Sequence, residues 1–202
     1  MSATVEFLYD FVSLPSFIAW KVLRPMVEAI SATLVPTPVL VAGIFKATGN
    51  AGPMAIPAKF EWVIRDLSLW IKKRGLTVSP TLHLPFRSLP LLRGSFLAAE
   101  RDETTRYIDA MYDAIFVHGR NLGDMPVVEA SLREAELDAE AYLQGMERED
   151  IKEKLRNSTD DAVARRVFGV PTFFVNGELF FGQDRIEFVM EALQGNTDNP
   201  LR

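Results

Sequence analysis

The chain opens with a short apolar block, Val5 to Phe11, rich in β-branched and aromatic residues and closed by Ser13-Leu14-Pro15-Ser16. That composition predicts a buried strand ending in a turn. Phe17, Ile18 and Trp20 then begin a helical period expected to run to about Ser31, with Pro15 in its first turn, where a missing N–H is tolerated. Thr33 to Val41 predicts a second strand, made irregular by Pro36 and Pro38, which cannot donate to a ladder. Ile44 to Pro57 predicts a loop, because Gly49-Asn50-Ala51-Gly52-Pro53 is strong turn chemistry. A helical period resumes from Lys59 with Trp62, Ile64, Leu67, Leu69, Trp70 and Ile71, and stops at Lys72-Lys73-Arg74-Gly75, basic residues followed by glycine.

Leu76 to Pro90 is punctuated by prolines and reads as extended. Leu91 to Arg165 is mostly helical in pattern, divided at Gly119 to Asp124 and near Gly145. Ser158-Thr159-Asp160-Asp161 has the spacing of a helix start. Charges of both signs alternate from Glu129 to Arg156, the mark of a solvated helical face carrying i,i+4 pairs. The character then changes. Phe168 to Val175 predicts a short strand, Asn176-Gly177 is the sharpest hairpin signal in the chain, and Glu178 to Phe181 is the return strand. Gly182-Gln183-Asp184-Arg185 opens a last helix, Ile186 to Leu193. A β-α-β beginning and a β-β-α end, separated by a long helical block, predict an α/β thioredoxin-like fold with a large all-helical insertion. The expected division is a discontinuous thioredoxin-like domain, 1–58 and 166–195, a helical insertion, 59–165, and a flexible tail, 196–202.

Composition narrows the function classes. The 202 residues are 48% hydrophobic and 24% charged, enough for one domain with a real core. A net charge of −5 argues against a general binder of nucleic acid or anionic membranes. No apolar run is long enough to span a bilayer, and no basic n-region precedes the first apolar block, so a cytoplasmic protein is expected. Asn157-Ser158-Thr159 is then a glycosylation sequon in form only. There are no cysteines and two histidines, His83 and His118. A disulfide framework, a thiolate metal site and protein-borne dithiol chemistry are thereby excluded, and no metal site is expected.

The absent sulfur gives Ser13-Leu14-Pro15-Ser16 its interest. In a thioredoxin-like fold this turn is where C-x-x-C would stand. Ser13 lies at a helix N-terminus, where free N–H groups and a positive partial charge favour an anion. A thiol supplied by a ligand titrates near pH 8.5 when free, and such a site favours its thiolate. The Ser13 hydroxyl can donate to that sulfur without competing as a redox partner. Val170-Pro171 precedes the strand expected beside it, and in such folds this proline is typically cis, exposing backbone to which a peptide can pair as an added strand. Glutathione is the natural cytosolic ligand. Its peptide would pair with Val170, and its γ-glutamyl end would meet Gln183 and Asp184. For an isolated serine, a plain N-cap would be the ordinary reading; together with F-G-V-P-T-F-F and G-Q-D-R the thiol site becomes the better one.

These residues resemble a known family. Tyr9-Asp10-Phe11-Val12-Ser13 with Ser16, Gly43 to Asn50, Pro57-Ala58-Lys59 with Asp66-Leu67, Phe168 to Thr172, and Phe181 to Arg185 resemble, in order, segments of kappa-class glutathione transferases and 2-hydroxychromene-2-carboxylate isomerases. The resemblance implies a DsbA-like fold, glutathione as cofactor, Ser13 as the catalytic serine, and Asn50, Lys59, Val170, Pro171, Gly182, Gln183 and Asp184 as glutathione-binding positions. It also implies an aromatic carboxylate substrate, for which Lys46, Lys59 and Arg87 are the candidate cations, and a homodimer joined through apolar residues of the insertion. The chain departs from the family where Leu14 replaces a usual proline, Pro15 a usual aromatic residue, and Phe116 a frequent tryptophan. Three readings stay open: a glutathione-dependent isomerase, a kappa-like transferase, and a non-catalytic binding module on a DsbA-like scaffold.

Overall fold

The structure, a computed structural model describing residues 3–195, is built on a four-stranded sheet in the order β2-β1-β3-β4. The strands are β1, Thr4–Tyr9; β2, Thr33–Pro38; β3, Thr172–Val175; and β4, Glu178–Phe181. β1 pairs parallel with β2, Leu8 opposite Thr37, and antiparallel with β3, Leu8 opposite Thr172. The β3–β4 hairpin turns at Asn176-Gly177, both with positive φ (51° and 82°), the geometry of a tight two-residue turn.

Nine α-helices are found among the described residues. They are α1, Leu14–Ala29; α2, Val41–Thr48; α3, Pro57–Lys73; α4, Leu89–Glu100; α5, Thr104–Tyr112; α6, Met125–Glu134; α7, Ala139–Gly145; α8, Glu149–Ala164; and α9, Ile186–Leu193. A π-helical segment, Asp113–Val117, continues α5. The expected order of elements is therefore present, and the fold is DsbA-like.

β1 explains itself physically. Its side chains alternate between two buried faces. Val5, Phe7 and Tyr9 join the main core, where Phe7 stacks against Tyr9 and Phe173 at 5.3 and 5.5 Å; Leu8 joins a second cluster with Val39, Ile44, Ala162, Val167 and Val170. Glu6 emerges on the Leu8 side and pairs with Arg165 at 2.6 Å. A strand covered on both faces reads as a nearly continuous apolar run. β2 is an edge, which accommodates Pro36 and Pro38.

Several boundaries differ from expectation. β1 ends at Tyr9, α1 at Ala29 and β2 at Pro38. The expected loop from Ile44 is instead the body of α2, and Gly49, in the left-handed region at φ 73°, is its C-cap. Ser158 to Asp161 do not start a helix but lie inside α8. Their hydroxyls serve the neighbouring chain: Ser158 Oγ donates to Pro38 O at 2.8 Å, and Thr159 Oγ1 accepts from Leu40 N at 3.0 Å while donating to Leu155 O. These groups satisfy the β2–α2 connection, whose polar backbone would otherwise be buried unpaired. The solvated charge pattern of the insertion is present, for example Arg133 with Glu129 at 2.7 Å. The tail expected at 196–202 lies outside the described residues. No helix among the described residues is long and apolar enough to cross a membrane.

Candidate active site

Ser13 is the N-cap of α1. Its Oγ accepts from Ser16 N at 3.1 Å and stands 2.9 Å from Ser16 Oγ. No acidic residue occupies the first turn of α1, and the Leu14 N–H has no partner among the described residues. The turn thus presents one free backbone donor and one hydroxyl at the positive end of a sixteen-residue helix.

The turn is held from below by Asp10, which is fully buried. The Asp10 carboxylate accepts from Val41 N at 3.0 Å and Val12 N at 3.3 Å, and from the Ser88 hydroxyl; its carbonyl accepts from Ser13 N at 3.1 Å. One side chain therefore joins the end of β1, the first N–H of α2 and the end of the 76–88 segment. Burial pushes its carboxyl up to about 6, against the pull of these hydrogen bonds. The sequence reading did not single out Asp10. The available signal was a carboxylate inside a block otherwise fit for a core.

Two loops beyond the insertion are joined through Pro171 and Gly182, and the second packs against α1. Val170-Pro171 is a cis peptide, as expected. The Val170 N–H and C=O have no hydrogen-bond partner among the described residues, although β3 begins two residues later. Gly182 N donates to Pro171 O at 3.0 Å, tying this loop to the turn after β4. Gly182 has φ 104°, and a Cβ there would approach Asp184 Oδ1 to 2.5 Å, so the position requires glycine. The 3-10 turn Gln183–Arg185 packs against α1. Gln183 is 4% exposed, and its Oε1 is buried without a hydrogen-bond partner. A buried amide left half-satisfied in this way fits a ligand that donates to it.

The remaining candidates divide. Asp184 is partly exposed and pairs with Arg185 at 3.1 Å. Asn50 is consumed internally: Nδ2 donates to Phe168 O at 2.7 Å and Oδ1 accepts from Gly52 N at 2.9 Å, so it anchors the loop leading to Val170. Lys46, Lys59 and Arg87 are exposed and form no ion pair among the described residues. Arg87 adjoins Ser88, a partner of Asp10, so it flanks the Ser13 turn. Lys46 lies in the last turn of α2 and Lys59 in the first turn of α3, and among the described residues no hydrogen bond joins either side chain to Ser13, Val170 or Gln183. No group of three or more His, Asp or Glu side chains among the described residues could hold a metal ion.

Comparison with known proteins agrees with this architecture. The DSBA-like thioredoxin domain family matches residues 4–194. The chain belongs to the DSBA-like thioredoxin family. Within this DSBA-like group, the chain is 25% identical to the 2-hydroxychromene-2-carboxylate isomerase of Sphingobium xenophagum over 195 residues, covering 96% of this chain and 99% of the relative. It is 26% identical to human glutathione S-transferase kappa 1, covering 98% and 94%. A solved 2-hydroxychromene-2-carboxylate isomerase structure superposes with a TM-score of 0.85 at 23% identity, covering 95% of this chain and 94% of the other. This DSBA-like chain thus has isomerases and glutathione transferases as relatives, and no thiol of its own.

Proposed function

We propose that the protein is a cytoplasmic glutathione-dependent isomerase acting on an aromatic carboxylate of the 2-hydroxychromene-2-carboxylate kind. The observation that carries the reading is the unpartnered Val170 backbone, tied through Pro171 O and Gly182 N to the turn that bears the buried, unpartnered Gln183 Oε1 and packs against α1, the helix capped by Ser13. The fit to a γ-glutamyl tripeptide is chemical. Val170 N–H and C=O would pair with its cysteinyl backbone as an added strand. The γ-glutamyl carboxylate would sit at the start of the last helix near Gln183, its ammonium would donate to Asp184 and Gln183 Oε1, and Lys59 would take the glycyl carboxylate. Pro171 and Gly182 shape the backbone, and Asn50 holds the loop that carries Val170.

Bound glutathione would supply a thiolate that adds to a conjugated double bond and later leaves, freeing rotation about the bond between. The chain's own residues bind and orient. Ser13 Oγ and the Leu14 N–H donate to sulfur, holding it as the thiolate. Arg87 holds the substrate carboxylate, with Lys46 as the second cation. Arg87→Ala is expected to raise the KM for an aromatic carboxylate about tenfold, the loss of a charge-assisted hydrogen bond, with glutathione affinity unchanged. Steady-state kinetics with each substrate varied in turn checks this.

The reading is tested by melting the protein with and without millimolar glutathione at neutral pH. Saturation to a hundred times the dissociation constant adds about 2.7 kcal/mol, or about 5–11 °C for a chain of this size. A melting curve unmoved by glutathione would favour an empty DSBA-like scaffold. Assay of the chromene carboxylate beside a halonitrobenzene acceptor separates isomerase from kappa-like transferase, for the relatives of both kinds stand at nearly equal identity. A homodimer is part of the proposal. The exposed apolar side chains of α3, Trp62 and Leu69 among them, form the insertion face for a second copy, and light scattering would read twice the monomer mass.

A further inference from the structure

Ser13 does not stand alone. Ser16 is fully buried behind it and donates to Ser13 Oγ at 2.9 Å, while the hydroxyl of fully buried Tyr112, on α5, donates to Asp10 O at 3.5 Å. Phe17 and Phe116 pack around the Tyr112 ring, at 5.9 and 6.0 Å. Two hydroxyls, Ser16 and Ser13, therefore form a line from the core to the α1 N-terminus. Each carries one proton and accepts at its lone pairs. The line can carry its protons inward or outward, and a thiolate decides between the two, because it accepts only.

We propose that Ser16 is a positioning residue of the thiol site, its buried hydroxyl donating to Ser13 Oγ and so committing the Ser13 proton to the bound sulfur. With both the Ser16 N–H and the Ser16 O–H donating to Ser13 Oγ, its acceptor capacity is filled and donation is its only remaining bond. Each link polarises the next, strengthening the terminal bond by about 10–30% per member. Burial holds the Tyr112 phenol well above its ordinary range, so it stays protonated at neutral pH and donates to Asp10 O beside the turn. The other titratable group beside the turn is Asp10.

This inference rests on the reading of Ser13 as a glutathione thiol site, and the test separates the two. The thiolate of bound glutathione is titrated by its ultraviolet absorbance in wild type, Ser13→Ala, Ser16→Ala and Tyr112→Phe. The Asp10 carboxylate, pushed up to about 6 by burial, does not absorb where a thiolate does, so its own titration does not enter the reading. Ser16→Ala keeps the N-cap oxygen and its bond from Ser16 N. It is expected to raise the midpoint by about half a pH unit, a threefold loss of acidity. Ser16→Gly removes the same hydroxyl and carries the test if Ser16→Ala does not fold. Tyr112→Phe, which removes the bond to Asp10 O, is expected to leave the midpoint unmoved, and a shift there as large as in Ser16→Ala would overturn the assignment to Ser16. An unmoved midpoint in the Ser16 variant, beside a raised one in Ser13→Ala, would likewise overturn it and leave the thiol site standing. A wild-type midpoint no lower than that of free glutathione would overturn both.

Discussion

Ser13→Ala should lower glutathione-dependent turnover by about ten- to a hundredfold while leaving the protein folded. The side chain has two jobs with different magnitudes. As N-cap it satisfies Ser16 N, and losing that costs about 1 kcal/mol, or about 2–4 °C in melting temperature. As donor to a thiolate it makes a charge-assisted hydrogen bond worth about 1.5–3 kcal/mol. A drop in kcat/KM for the chromene carboxylate far larger than the loss in stability separates these jobs, and Ser13→Thr, which keeps an oxygen in both, should recover much of the rate. A variant that melts a few degrees lower but turns over normally would reduce Ser13 to a cap.

The second large effect concerns Asp10 and pH. Its carboxyl is held near 6 in the folded protein, about two units above an ordinary aspartate. The folded state therefore binds this proton more tightly than the unfolded state does. The contribution to stability is complete below the unfolded value, near pH 4, and is lost as pH rises through 6. The difference amounts to about 3 kcal/mol. Asp10→Asn carries no charge at any pH. The stability gap between wild type and Asp10→Asn, measured by urea unfolding at pH 4 and pH 7, should shift by about that amount, with wild type relatively better at pH 4. A gap independent of pH would mean that the hydrogen bonds from Val41, Ser88 and Val12 offset the desolvation completely.

What could be read in the sequence followed the strength of the local signals. β1 and the β3–β4 hairpin were legible because a doubly buried strand and an Asn-Gly turn leave patterns that tertiary contacts do not override. The position of Ser13 and the cis Val170-Pro171 followed from element order. α2 was missed because its C-cap, Gly49-Asn50, lent loop character to the residues before it. Ser158 and Thr159 were misread because their spacing is that of a cap while their hydroxyls serve a connection far off in sequence. Asp10 left only the signal of a carboxylate in an apolar block, and its bonds from Val41 and Tyr112 could not be read at all, since they join residues that only the folded chain brings together.

The register of the sheet bears on when the protein can become active during synthesis. β1 pairs Val5 with Val175, and Gln183 comes later still. Ser13 leaves the ribosome early, but the strand that completes its neighbourhood is made only after the whole insertion. At about 5–20 residues per second, β1 waits on the order of ten to thirty seconds with its β3-facing edge open. A nascent chain arrested before Thr172 should hold folded helices of the insertion yet fail to bind glutathione, and it should expose the Val5–Tyr9 edge to chaperones. Long-range closure of this kind also slows refolding from denaturant. The proposed thiol site is thus completed only near the end of synthesis.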